Sequence, residues 1–292
     1  MIIMKYWGGI GNQLFIYALQ RELEYKGKTV KADIINLLDQ ANKEMPANFE
    51  IDKLGIQLDF VTDSDFYAIQ RTIKQKIKWL KSIITGDNCK KYFYYFNMYE
   101  ERSKVFDKGV LDLDNTFIFG YWQCPRYFED VKDIIKSEIT FPKYDHLSEE
   151  IKKFKECNSV SLHVRLGDYG KEQNSGFGRV CSVQYYRNAI DRIKEKVEKP
   201  VFFVFSNDVK EAEHVLSEIG LEYISMEGKS SIEDLYLMSN CKHHIIANSS
   251  YSWWGAWLGE DEDTIIVAPR IWHMERPEWD ICEEHWETVD II

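Results

Sequence analysis

Between residues 159 and 269 the chain alternates two kinds of segment, and that alternation limits its fold more than any other feature. The apolar runs "SVSLHVR", "PVFFVFS", "LEYIS", "HHIIANS" and "TIIVAP" are separated by the helical patterns "VQYYRNAIDRIKEKV", "VKEAEHVLSEIG", "SIEDLYLMSNC" and "YSWWGAWLG". Short strands that are apolar on both faces, with a helix between each pair, predict a parallel sheet covered on both sides. Ligands of such sheets sit beyond the carboxyl ends of the strands. The unusual polar residues fall at those ends: Arg165 and Asp168 after the first run, Ser206, Asn207 and Asp208 after the second, Asn248, Ser249 and Ser250 after the fourth.

The first half is less regular. It opens with a strand, "MIIMKYW", then the glycine turn Gly8-Gly9-Ile10-Gly11 and a helix from Asn12, marked by Leu14, Phe15, Ala18, Leu19 and Leu23 at helical spacing. A strand is expected at "TVKADI", a helix over 63–84, then an aromatic stretch "YFYYFNMY", a strand at "NTFIFGYW" and a helix from Arg126 to Glu138. "FPKYDHLSEE" (141–150), which contains Pro142, reads as a linker. At 292 residues the chain suits two domains, placed at 1–145 and 146–292.

A formal charge of −11 argues against a nucleic-acid partner, whose phosphates call for lysine and arginine. An anionic small ligand would need a local positive field from named arginines and backbone N–H groups. There is no run of about 18 apolar residues to span a membrane. The opening residues lack the apolar core of a secretory signal, which points to the cytoplasm or to peripheral attachment at the inner membrane. Arg71 to Lys91 breaks the acidic trend, with seven Lys or Arg against the single acid Asp87. Its Ile73, Ile77, Leu80 and Ile84 recur at helical spacing, so it reads as a packed surface helix or as a contact with an anionic membrane. The six cysteines are scattered without a C-x-x-C pair, which fits reduced core thiols better than zinc ligands or a disulfide framework.

Each polar cluster has a structural and a chemical reading. In "ANSSYSWWGAW" a strand ends in hydroxyl residues where a helix begins. The serines either cap that helix or join its free N–H groups in holding an anion. "FSND" supplies a cap for the next helix, or an amide and a carboxylate able to read the O6 and the N1–H and N2–H donors of guanine. Arg165 either pairs with a carboxylate such as Asp168 or clamps an anionic ligand. His163, two residues earlier on the same strand face, is a core histidine or a proton carrier. "GGIGNQ" lacks the lysine of a P-loop and does not fit G-x-G-x-x-G. It still lets backbone approach a ligand closely, with Asn12 and Gln13 at the start of the helix.

Taken in order, "GGIGNQLFIYALQREL", "GYWQCPRYF", "VSLHVRLGDY", "FFVFSND" and "LYLMSNCKHHIIANSSYSWWGAWL" resemble the bacterial galactoside α-1,2-fucosyltransferases of glycosyltransferase family 11 along most of the chain. The last block is the most specific. The resemblance implies a GT-B-like α/β fold, two Rossmann-like domains with a cleft between them, and GDP-fucose held mainly by the second domain. It implies inversion at the fucose anomeric carbon with no metal or other cofactor, and a galactose-containing glycan as acceptor. Arg165 would meet the charge that builds on the β-phosphate as the fucose–phosphate bond breaks. Removing such a donor costs on the order of 10²–10³ in rate. Asn207 and Asp208 would seat guanosine, Ser249, Ser250 and Ser252 would contact the pyrophosphate, and Gly11, Asn12 and Gln13 would lie near the transferred sugar. Asp168 and His163 are the candidates for the base. The family pattern H-x-R-R-x-D is broken here, since Leu166 replaces the second arginine; either donor binding is weakened or Arg179 or Arg270 supplies the missing charge. Another nucleotide sugar as donor, or a non-catalytic GDP-sugar or glycan-binding protein, are the alternatives.

Overall fold

The computed structural model describes residues 1–38, 48–68, 97–165, 175–178 and 180–291. The chain divides into two compact units, Met1–Thr140 and Phe141–Ile292. The segment 141–150 contains a 3-10 turn, Asp145–Leu147, and the start of a helix.

In the first unit the strands β1 (Ile2–Lys5), β2 (Val30–Asp33), β3 (Met98–Glu100) and β4 (Thr116–Phe119) form a sheet in the order β2-β1-β4-β3, all parallel. Helix α1 (Ile10–Tyr25) follows β1 and buries Leu14, Phe15, Ala18, Leu19 and Leu23, the residues whose spacing marked it. Short helices α2 (Ile35–Leu38) and α3 (Asp63–Ala68) come next, and α4 (Lys132–Glu138) ends the unit. The single helix expected from Arg126 to Glu138 is instead a 3-10 segment, Pro125–Val131, itself broken at Phe128 (φ −140°), followed directly by α4. Pro125 has no N–H to give, and Tyr127 and Phe128 turn inward as core residues, so the backbone bends to seat them. The expected helix beyond Ala68, with the basic segment Arg71–Lys91, lies outside the described residues.

In the second unit α5 (Ser148–Glu156) leads to β5 (Asn158–Val164), α6 (Ser175–Gly178), α7 (Val183–Lys196) and β6 (Pro200–Ser206). The chain continues through α8 (Val209–Ile219), β7 (Tyr223–Ser225), α9 (Ser231–Met238), β8 (His243–Ile245), α10 (Ser250–Gly259), β9 (Ile266–Pro269) and β10 (Glu287–Val289). The six strands are parallel in the order β10-β9-β8-β5-β6-β7. Counted within the unit and read from the β7 edge, this is 3-2-1-4-5-6, the doubly wound order of Rossmann sheets. Growth of the sheet reverses between β5 and β8. The fold is thus α/β, and the two parallel-sheet units that a GT-B-like class requires are both present.

Local sequence explains why the layers sit tightly. Ser182 caps α7, its Oγ accepting from the Tyr185 N–H at 3.2 Å, and Ser230 with Glu233 forms a capping box on α9. Helix α10 is apolar nearly all round and is accordingly buried, with Trp253, Trp254 and Trp257 each 2% exposed or less. It lies close against the chain that follows α9, because a Cβ on Gly259 would come within 2.3 Å of the Ser239 carbonyl oxygen. Cys124, Cys157, Cys181, Cys241 and Cys282 are free thiols.

Candidate active site

The crevice at a Rossmann switch point lies outside the carboxyl ends of the first and fourth strands, here β5 and β8. Strand β5 carries His163 and Arg165 at that end, and the Tyr186 hydroxyl of α7 fixes its backbone. That hydroxyl accepts from the Arg165 N–H at 3.4 Å and donates to the His163 carbonyl at 3.2 Å. The Arg165 side chain is half-buried. His163 is 4% exposed, its Nδ1 has no hydrogen-bond partner among the described residues, and the Tyr251 ring lies 5.8 Å away, centroid to centroid. Burial, then the neighbouring Arg165 guanidinium, hold its pKa down to about 3. The imidazole is therefore neutral at physiological pH and is a weak proton acceptor, suited to a hydrogen bond.

Strand β8 leads into Asn248 and Ser249. Asn248 is 1% exposed, and its Nδ2 donates to the carbonyls of Phe177 (3.0 Å) and Trp272 (3.2 Å). The Cys181 thiol donates to its Oδ1 at 3.2 Å. One carboxamide therefore ties α6, the start of α7 and the segment after β9 to the end of β8. Ser249 occupies the N-cap position of α10 in extended conformation (φ −134°, ψ 121°), yet its side chain makes no capping hydrogen bond. Ser250 is half-buried at the first position of the helix. Ser252 is 1% exposed with its hydroxyl turned back toward the Ser249 carbonyl at 3.3 Å, so its placement is that of a core residue.

Asn207 and Asp208 are exposed after β6. The Ser206 hydroxyl accepts from the Asp208 N–H at 3.1 Å and donates to the Asp208 carbonyl at 2.9 Å, which holds this turn at the carboxyl edge of the sheet. Arg270 follows β9 and pairs with Asp290 at 2.8 Å on the surface, so its charge is already engaged. Asp168, Leu166 and Arg179 lie outside the described residues.

The first unit has its own switch point, between β1 and β4. Gly8 adopts φ +73°, where a Cβ would also stand 2.6 Å from the Asn12 amide nitrogen, so glycine is required. Gly11 is buried in the first turn of α1. Asn12 is half-buried and its Oδ1 accepts from Gln123 Nε2 at 2.7 Å. Gln13 does not take the ligand-facing place expected for it. It is 0% exposed; its Nε2 donates to the carbonyls of Gly8 (2.8 Å) and Asn48 (2.7 Å), and its Oε1 accepts from the Glu50 N–H (3.1 Å). Its carboxamide is spent holding the glycine turn, because a buried amide must find partners wherever the chain supplies them.

The structure therefore gathers Arg165, His163, Ser249 and Ser250 around one switch point and sets Gly11 and Asn12 at another. Sequence reading missed the tying roles of Asn248, Tyr186 and Gln123. The one signal for them was position: each lies in, or directly follows, a block that ends a strand or opens a helix. No group of three His, Cys, Asp or Glu among the described residues is arranged to hold a metal ion.

Comparison with known proteins gives the chemistry a family. The glycosyltransferase family 11 model matches residues 8–289. An alpha-1,2-colitosyltransferase of Escherichia coli is 32% identical over 302 residues, 99% of this chain and 99% of that protein. The O-antigen biosynthesis glycosyltransferase WbnK of Escherichia coli is 32% identical over 299 residues, 96% of this chain and 97% of that protein. Among solved structures, that of a mutant of Arabidopsis thaliana FUT1 in complex with GDP is similar at 13% identity and a TM-score of 0.46, covering 91% of this chain and 69% of that one. With a family model matched along nearly its whole length, the chain belongs to glycosyltransferase family 11 and is a transferase that takes a sugar from a nucleotide carrier.

Proposed function

We propose that the enzyme moves L-fucose from GDP-L-fucose, with inversion, to the 2-hydroxyl of a galactose-type residue of a glycan precursor. The observation that carries this reading is the switch point of the second unit, where Arg165 and the N-terminus of α10 follow the carboxyl ends of the neighbouring strands β5 and β8. Departure of GDP places negative charge on the β-phosphate. A guanidinium and the N-terminal end of a helix, fixed before the reaction, stabilise that charge without having to reorganise. Ser249 and Ser250 would add hydroxyl donors, and Asn207 with Asp208 at the edge of β6 would seat the guanine. The acceptor would be held by the first unit, with Gly11 and Asn12 close to the transferred sugar. A second reading has specific support: the sugar moved is colitose, the group in the name of the alpha-1,2-colitosyltransferase relative.

Calorimetric titration in EDTA of GDP-fucose, GDP, UDP and GDP-mannose, on wild type and Arg165→Ala, tests the reading. Guanine-selective binding without metal that collapses in the variant is the expected result. Equal binding of UDP, or an unaffected variant, overturns it. Transfer to a galactoside panel from GDP-fucose and from the corresponding colitose donor then separates the two donors. No helix among the described residues is long and apolar enough to cross a membrane. The Arg71–Lys91 segment is proposed as a peripheral contact with an anionic leaflet, and co-sedimentation with vesicles that is indifferent to anionic lipid refutes that part.

A further inference from the structure

Transfer needs a proton acceptor for the attacking hydroxyl, and a neutral, buried His163 serves poorly. The first unit offers another group at the carboxyl rim of its sheet. Asp33 ends β2 and is 8% exposed. Its Oδ1 accepts from the Ile35 N–H at 3.0 Å, which fixes the carboxylate, and Oδ2 makes no hydrogen bond among the described residues. Lys5 is its register partner on β1, so the two side chains share one sheet face. The Lys5 ammonium lies 5.1 Å from the centroid of the Phe119 ring, and Trp7 packs against Phe119 at 4.8 Å and stacks on Tyr121 at 3.9 Å. An anchored carboxylate, an ammonium and an aromatic row along one rim form the set of groups that suits a sugar, with hydroxyls on the polar members and C–H faces on the rings.

We infer that Asp33 accepts the proton of the acceptor hydroxyl as that oxygen attacks, an inference that rests on the proposed transfer reaction. The acceptor oxygen bonds to the anomeric carbon, the bond from that carbon to the β-phosphate oxygen breaks, and its electron pair leaves with GDP. The hydroxyl proton passes to Asp33 Oδ2 and afterwards to solvent. Among the described residues the charged neighbours are few. Lys5 faces Asp33 from β1, α2 contributes an N–H and no titratable side chain, and Asp59, beside the Ala32–Phe60 bridge, lies 3.8 Å from Lys31. Burial raises the Asp33 carboxyl above its ordinary value, opposed by the Ile35 N–H and the Lys5 charge. Activity should therefore rise with pH through a value above that of an ordinary aspartate, about 3.9.

The test is Asp33→Asn in the full chain, because asparagine keeps the oxygen that holds the Ile35 N–H and loses only the base. Transfer to a galactoside, hydrolysis of the donor by water, and kcat/KM against pH are measured with GDP-fucose. The expected result is a fall in transfer kcat on the order of 10²–10⁴-fold, donor KM unchanged, donor hydrolysis largely retained, and loss of the low-pH limb. Transfer within a few-fold of wild type with that limb intact overturns the inference. So does a parallel fall in hydrolysis, which would place Asp33 in donor activation or folding. If the asparagine variant does not fold, Asp33→Ser, whose hydroxyl can hold the same turn, gives the same comparison. A wild type that transfers nothing from GDP-fucose refutes the donor assignment alone. The ratio of variant to wild type is then read with the nucleotide sugar that the enzyme does turn over.

Discussion

Replacing Asn248 tests how the switch point is held together, and the order of two replacements is more telling than either alone. In Asn248→Ala the carbonyls of Phe177 and Trp272 lose their donor, and the Cys181 thiol loses its acceptor. A buried carbonyl without a partner costs about 1–3 kcal/mol, so two of them together cost about 2–6 kcal/mol. For a unit of this size about 1 kcal/mol moves the melting temperature by roughly 2–4 °C, giving a fall of about 4–24 °C. Asn248→Asp has nearly the same shape and should nonetheless be worse. It points an acceptor at two carbonyl oxygens and places a charge at a site that is 1% exposed. The assay is thermal unfolding followed by tryptophan fluorescence, since Trp253, Trp254, Trp257 and Trp272 are buried in this unit. Calorimetric binding of GDP is measured alongside it. The expected order of stability is wild type, then alanine, then aspartate. An aspartate variant as stable as the alanine variant would falsify the donor orientation assigned to Asn248 and, with it, the account of how the strand end is fixed.

Three further outcomes follow from particular contacts. Gly259→Ala should cost about 1–3 kcal/mol, because the new Cβ would stand 2.3 Å from a backbone oxygen that cannot move aside; Gly255→Ala, whose Cβ would stand 3.0 Å from Met238 Cβ and 3.2 Å from its flexible Cε, should cost less, and denaturant unfolding ranks the two. Asp234 is pushed up to about 7 by burial, then by the charge of Glu233. The folded state therefore binds that proton more readily than the unfolded state, and stability from this group is present below the ordinary aspartate range and declines as pH rises toward 7. Unfolding midpoints of Asp234→Asn across pH 4–8 should show a flatter profile than wild type, and an unchanged slope refutes the assignment. Arg165→Ala should lower the rate of sugar transfer on the order of 10²–10³-fold while leaving the melting temperature nearly unchanged; a large loss of stability with normal turnover would make Arg165 a structural residue.

Much of the second unit could be read from its residues. Strand β6 runs from Pro200 to Ser206, the limits its apolar run suggested, and α7 and α8 stop within a residue of their patterns. These elements are buried on one helical stripe or on both strand faces, so their periodicity is forced by what surrounds them. Two of the edge strands, β3 and β10, gave no such signal. β10 is three residues long and half-buried or exposed, and β3 is similar, so neither needs an apolar run. The candidate site divided in the same way. Arg165 and the serines before α10 stood out because charged or small polar residues interrupt apolar sequence. The tying roles of Asn248, Gln13 and Gln123 did not, because an amide gives no hint in the sequence whether its partners are a ligand or distant carbonyls.

The same physics explains where chemistry can sit in this fold and why Asp33 escaped notice. In a parallel sheet every interior strand buries its backbone polar groups in ladders, so a side chain able to meet a ligand must lie just past a strand's carboxyl end. The second unit advertises that boundary, because His163 and Arg165 follow four consecutive buried residues, Ser159 to Leu162. In β2 the boundary falls after a strand of only four residues in which Lys31 already alternates with apolar neighbours, and a terminal aspartate then looks like one more turn former. What separates Asp33 from an ordinary turn aspartate is visible only with its surroundings in place. A carboxylate that served the turn alone would gain from staying solvated, yet this one is 8% exposed, with Lys5 beside it in register and an aromatic row beyond. Keeping a charge there costs stability that a surface turn would not require. That cost is what makes the asparagine replacement informative: if the carboxylate serves only the turn, the neutral amide should be at least as stable and fully active, and only a loss of transfer in a well-folded variant justifies the burial.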